Sequence, residues 1–182
     1  DRYDVYVTAA AFGPAPRLDA HNSLAFFQRA NVTSTFNITG GWIKVQDEAH
    51  GLSEGMTVIG DNNAATATLN LSGGKLSTKV LAKGNGGTFN FTGGTLSAQT
   101  VGFDLVNNGG TIAPGESPGV THVMGDLTLA SGTLEIEIGG TNVGEYDQLV
   151  VDGETLLGGT LKVMPIDLGG GLWAPALGDE FA

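Results

Sequence analysis

Cysteine is missing from this 182-residue chain. No disulfide, zinc–thiolate site or cysteine nucleophile can contribute, so the structure must hold by packing and hydrogen bonds. Basic residues are scarce as well. Eight Lys and Arg stand against 19 Asp and Glu, a formal charge of −11, which disfavours nucleic acid and anionic membrane surfaces because both reward clustered basic side chains. Neither is expected as a partner. Charged residues of both signs reach only 15%, against the ~25% usual in soluble domains. No run of ~18 apolar residues occurs, so membrane insertion is not expected. The opening D-R-Y-D-V-Y lacks the basic-then-apolar pattern of a signal peptide and, without an initiator Met, reads as the start of a mature or excised fragment. Histidine is confined to His21, His50 and His122, in no spacing that sets two metal ligands on one face of a strand or helix.

What is abundant is glycine, at 30 positions, about twice its average share and without the triplet period of collagen. The polar surface falls to Thr, Ser and Asn, residues of strands and turns. One phrase recurs among them. T-F-N-F-T-G-G-T-L-S-A (88–98) is matched position for position by T-F-N-I-T-G-G-W-I-K-V (35–45) and T-L-N-L-S-G-G-K-L-S-T (68–78), with looser relatives at 126–138 and 155–163. In each copy the large apolar residues, Phe36/Ile38, Leu69/Leu71 and Phe89/Phe91, alternate with Thr and Asn, the period-2 pattern of a strand with one buried face. A Gly-Gly pair then allows a sharp corner, and Ile43, Leu76 and Leu96 resume the buried side. One such unit cannot bury its apolar face alone, so consecutive copies must stack with equivalent strands paired in parallel. The expectation is an all-β, right-handed parallel β-helix, or β-solenoid, with Gly-Gly corners and Phe89, Phe91 and Leu96 in its interior ladder.

The chain divides into three parts on this reading. Residues 1–17 give a separate N-terminal strand, where Tyr3, Val5 and Val7 alternate with Arg2, Asp4 and Tyr6, followed by a linker whose two prolines cannot donate to a ladder. Residues 18–110 hold the repeats, preceded by a cap in which Asn22 begins a short helical turn carrying Leu24, Phe26 and Phe27. Residues 111–182 open on the corner T-I-A-P-G-E-S-P-G-V and continue the solenoid with larger coils, ending in a truncated strand at Phe181.

The stretch T-I-A-P-G-E-S-P-G-V-T-H-V-M-G-D-L-T-L-A-S-G-T-L-E-I-E-I-G-G (111–140), followed by Y-D-Q-L-V-V-D-G-E-T-L-L-G-G-T-L-K-V (146–163) and L-G-D-E-F (177–181), resembles the C-terminal passenger segment of bacterial autotransporter-like surface proteins. It is similar too to PEP-CTERM-type exported proteins that share the autotransporter-associated β-strand repeat. The resemblance covers about residues 88–182. It implies export to the cell surface or extracellular space, a right-handed β-helix, and a structural or adhesive role.

Few residues suggest chemistry. Glu135 and Glu137 share a strand face with Cα atoms ~6.7 Å apart, and a solvated face accounts for them because Ile136 and Ile138 claim the core side. A catalytic groove on a β-helix would need clustered acids and bases, whereas Arg2, Arg17 and Arg29 all precede the repeats; no enzyme is expected. The glycine-flanked oxygens of 139–147 and 60–63 offer structural calcium a place, though neither segment matches a calcium-loop motif. Asn31, Asn37, Asn70 and Asn90 begin N-x-[ST] sequons, and the last three follow from the repeat as a ladder of exposed amides bonded coil to coil. Three unequally spaced copies are too few for an ice-binding array. Trp42 takes the outward slot held by Lys75 and Thr95 and is the candidate contact for an extracellular polysaccharide or a protein partner. Tyr3, Val5 and Val7, with Phe181 at the other end, are the candidate contacts of a head-to-tail homopolymer formed by strand addition.

Overall fold

The computed structural model describes residues 2–7, 17–21, 23–26, 33–46, 56–60 and 66–181, with side chains at 33–45, 57–60 and 66–181. Alternation of apolar and small polar residues makes every described element a strand: β1 (Arg2–Val7), β2 (Arg17–His21), β3 (Ser23–Phe26), β4 (Thr33–Gln46), β5 (Met56–Ile59), β6 (Thr66–Lys83), β7 (Gly87–Val101), β8 (Leu105–Asn107), β9 (Thr111–Ile112), β10 (Val120–Val123), β11 (Leu127–Leu129), β12 (Thr133–Ile138), β13 (Gln148–Val151), β14 (Thr155–Leu157) and β15 (Thr160–Pro165).

All pairing between these strands is parallel, and it sorts them into three faces. The first is β1-β4-β6-β7-β8-β11-β14. The second is β2-β4-β6-β7-β9-β12-β15, and the third β3-β5-β6-β7-β10-β13. Strands β4, β6 and β7 bend through a corner and serve more than one face. The molecule is a β-solenoid, as the repeat requires.

Register fixes what lies inside. Ile38, Leu71 and Phe91 are partners in the first face and Ile43, Leu76 and Leu96 in the second, and all six are buried. The columns continue through Leu127 and Leu129 on β11 and Ile112 on β9. Each fully buried leucine contributes about 1.5–3 kcal/mol, and the stack adds one such layer per turn of chain. Two interior hydroxyls are paired, Thr57 with Thr78 at 3.0 Å and Thr78 donating to the Val80 carbonyl at 3.0 Å, whereas the fully buried Ser34 Oγ has no hydrogen-bond partner among the described residues. Asn107 enters a leucine column fully buried, its Oδ1 accepting from the amides of Gly109 and Gly110 and its Nδ2 donating to the Gly110 carbonyl. It thereby satisfies the corner that the Gly-Gly pair forms in earlier turns.

Four expectations change in detail. The N-terminal strand is separate in sequence only, since Arg2–Val7 pairs in parallel with residues 33–38 as the first strand of the stack. No helical turn forms at its neighbour: Ser23–Phe26 is strand, because S-L-A-F registers against Met56–Ile59, while Asn22, Phe27 and the prolines at 14 and 16 lie outside the described residues. Phe89 is half-buried; β8 is three residues long and joins β7 only at Phe91↔Asn107, leaving the edge of Phe103 (6.1 Å between centroids) to cover it. Phe181 lies in no strand. It packs edge-on against Tyr146 at 5.3 Å and Trp173 at 5.9 Å.

The Gly-Gly corner is sterically closed to side chains. Gly74 has φ +69°, and a Cβ there would lie 2.5 Å from the Gly41 carbonyl oxygen of the preceding turn. Gly74→Ala should destabilise the fold by about 1–3 kcal/mol, whereas Gly170→Ala, with open space around it, should fall within about 0.5 kcal/mol of the parent. Urea unfolding of both variants checks this.

Candidate ligand cleft

Outward-facing columns on the three faces differ in chemistry. On the first face Asn70 Nδ2 donates to Asn37 Oδ1 and Asn90 Nδ2 to Asn70 Oδ1, both at 2.7 Å, so the expected amide ladder exists. It ends where Val106 follows Asn90 on the outer side. A second ladder, which the repeat did not reveal, runs along the corner before the first face: Asp104 Oδ1 accepts from the Asp126 amide at 3.0 Å, and Asp126 Oδ1 from the Glu154 amide at 2.8 Å. Its signal is the recurring F-D-L, G-D-L and G-E-T at 103–105, 125–127 and 153–155.

The second face is where the flat surface becomes concave. Strand β9 stops after two residues, and the chain that follows, P-G-E-S-P-G (114–119), leaves the ladder and crosses the sheet as a strap, its Ser117–Pro118 peptide cis. Under it the outward hydroxyls of Ser77 and Ser97 are buried, and Ser97 Oγ donates to the Gly115 carbonyl. Glu116 reaches back along the stack to Lys44, 2.6 Å away. The cleft so formed holds about 280 Å³ and is bounded by Trp42, Lys44 and Lys75 on one side and by Glu135, Glu137 and Asp147 on the other. A neighbouring opening of about 300 Å³ shares Lys44, Ser77, Ser97, Gly115 and Glu116 with it.

Each charged group in the cleft has defined surroundings. The ammonium groups of Lys44 and Lys75 both stand 5.8 Å from the centre of the half-buried Trp42 ring, within the reach of cation–π attraction. Glu135 is paired with Lys162 of β15 at 2.7 Å. Asp147 is buried and accepts from two backbone amides, Gly119 (2.7 Å) and Glu137 (2.9 Å). Burial raises its carboxyl above the usual 3.8, the two amide hydrogen bonds oppose that, and the charges of Glu137 and Glu135 add to the rise.

No family model, curated protein or solved structure matches this chain. What the cleft can do is read from its own chemistry. Among the described residues there is no group of three or more His, Asp or Glu side chains able to hold a metal. In the 139–147 loop, offered above to calcium, Glu145 instead accepts from the Asn142 backbone amide and side-chain amide, at 3.1 and 2.9 Å; residues 61–63 lie outside the described part, as do His50 and Asn31. His122 is bonded to Asp152 at 2.7 Å.

Of the sequence-selected contacts, Trp42 is the one the structure places in this cleft, with Glu135 and Glu137 across from it. Tyr3, Val5 and Val7 occupy register positions opposite Ser34, Phe36 and Ile38 in β1. Phe181 belongs to the Tyr146–Trp173 aromatic group. Sequence reasoning looked for basic residues among the arginines and missed that Lys44, Lys75 and Glu116 converge. Their convergence depends on register and on the strap, neither of which a linear pattern displays.

The Asp147 geometry predicts a pH dependence. Because its folded pKa is raised, the native state binds the proton more tightly than the unfolded chain, and stability falls as pH rises from about 3.8 through the raised value. The melting-temperature advantage of the parent over Asp147→Asn should therefore be larger near pH 4 than near pH 7, measured by calorimetry across that range.

Proposed function

We propose that the chain is a non-enzymatic structural or adhesive β-solenoid, a subunit of an exported cell-surface layer, matrix or fibre that extends head to tail by strand addition. The observation that carries this is the last turn of the stack. Leu157, Leu161 and Val163 continue the inward columns of Leu129, Leu134 and Ile136, yet they are 65%, 64% and 51% exposed where Leu129 is 4% exposed. Beyond them the described chain turns away through 166–181 rather than laying another strand on top. An open row of backbone donors and acceptors beside bare apolar side chains is a template for a further parallel strand. In a second copy, β1 and β2 open the same two parallel faces on which β14 and β15 are the last described strands, so they run in the direction needed to supply it. The resemblance of about residues 88–182 to autotransporter-like passenger segments supports the exported, structural role.

The absence of catalysis in this reading is supported by how the charges are used. Asp147 accepts from two backbone amides, and Lys44 and Glu135 are each ion-paired within the chain. The concavity around Trp42 favours a second role for the same rod, attachment to an extracellular polysaccharide.

Assembly is testable on the purified chain. Concentration-dependent growth of end-to-end rods should appear by light scattering and negative-stain microscopy, and Leu161→Glu, which buries a charge at any such junction, should abolish it while the far-UV circular dichroism is retained. Monodisperse particles at high concentration, or rods unchanged in the variant, contradict the proposal.

A further inference from the structure

We propose that the cleft between Trp42, Lys44 and Lys75 and the facing Glu135 and Glu137 binds a neutral oligosaccharide segment, one to two pyranose rings of a larger polymer. The inference deepens the polysaccharide-attachment role and rests on it, but stands apart from rod assembly. Its starting point is that a large aromatic side chain occupies an outward position where the following turns carry Lys75, Thr95, Thr111 and Thr133. A tryptophan on the solvent side contributes nothing to the interior columns, yet here it is half-buried and lines the same cleft as the strap.

The walls of the cleft divide by hydrogen-bonding role. Lysine ammonium groups can only donate, carboxylates can only accept, and the serine hydroxyls beneath do both. Sugar hydroxyls are simultaneously donors and acceptors, so a pyranose lying across the cleft meets acceptors for its protons at Glu135 and Glu137 and donors for its oxygens at Lys75 and Lys44. The indole offers an apolar surface suited to the C–H faces of a ring. The cleft volume of about 280 Å³ falls just below the ~300–1,000 Å³ usual for small-ligand sites, room for one or two rings and not for a folded peptide.

Charge decides for a neutral sugar over a uronate. Lys44 is already paired with Glu116 and Glu135 with Lys162, Glu137 and Asp147 add further carboxyl groups to the lining, and the whole chain carries −11. A polyanion would approach against that field and find Lys75 as the one lining cation with no carboxylate recorded against it among the described residues.

Isothermal titration of the intact chain with tetrasaccharides of β-1,4-glucose, β-1,4-N-acetylglucosamine and α-1,4-glucose, and with tetragalacturonate, tests the proposal. At least one neutral tetrasaccharide should bind with a dissociation constant between about 1 μM and 1 mM. Trp42→Ala should weaken it at least about tenfold, Trp42→Phe should restore part of the loss, and Glu137→Gln should also weaken it. Thr88→Ala, on the first face, should not. Circular dichroism confirms that each variant is folded. Neutral binding that survives Trp42→Ala leaves polysaccharide attachment standing and overturns this cleft as its site; no binding by any neutral sugar overturns both. Preference for tetragalacturonate overturns the neutral assignment.

Discussion

Parallel pairing in register is the constraint on which everything else in this molecule depends. Once residue 38 lies beside residue 71 and 71 beside 91, each side chain is stacked on its counterpart one turn away, and every position becomes part of a column. Inward columns must be apolar or self-satisfying, as the Ile38–Leu71–Phe91 and Ile43–Leu76–Leu96 stacks are. Outward columns can be amides that bond each other, as at Asn37, Asn70 and Asn90. Corners must be glycine where the preceding turn's carbonyl would meet a Cβ. Like charges stacked in a column would repel, whereas opposite charges can share one, as Glu135 does with its register partner Lys162.

That constraint explains which parts were legible in the sequence. The repeat phrase, with its apolar alternation and Gly-Gly pair, encodes the fold directly because column chemistry is visible in one dimension. The amide ladder was legible for the same reason. Strand β1 was legible as a strand but not as the opening turn of the stack, since its partner at 33–38 lies beyond a proline-bearing stretch. The Ser23–Phe26 segment misled because four residues with apolar positions at 24 and 26 satisfy a short helical turn as well as a strand, and only pairing with Met56–Ile59 decides between them. Phe89 was assigned to the interior by alternation, but how deeply a residue is buried depends on the length of the next strand, and β8 is short.

The cleft was not legible because it forms where the repeat is broken. Alternation would have continued β9 outward and flat; P-G-E-S-P-G cannot stay in the ladder, since its prolines lack the amide and its glycines release the backbone. The strap it makes covers Ser77 and Ser97 and carries Glu116 to Lys44, turning a featureless polar face into a concave one. Residues that seemed unrelated at 42, 75, 116, 135 and 147 thus share one volume. The regular stack supplies a flat face, and its interruption at 114–119 supplies the concavity.

On the proposed reading, the two ends and the face of the rod carry different tasks, joining at the ends and recognition on the second face. Joining is the central claim, and intermolecular contacts in concentrated, assembled material test it most directly. Solid-state NMR on a mixture of ¹³C-labelled and ¹⁵N-labelled chains should show contacts between β15, around Leu161 and Val163, and β2, at Arg17–His21, in parallel register. Contacts of β15 with β15, or no intermolecular contacts at all, would contradict it.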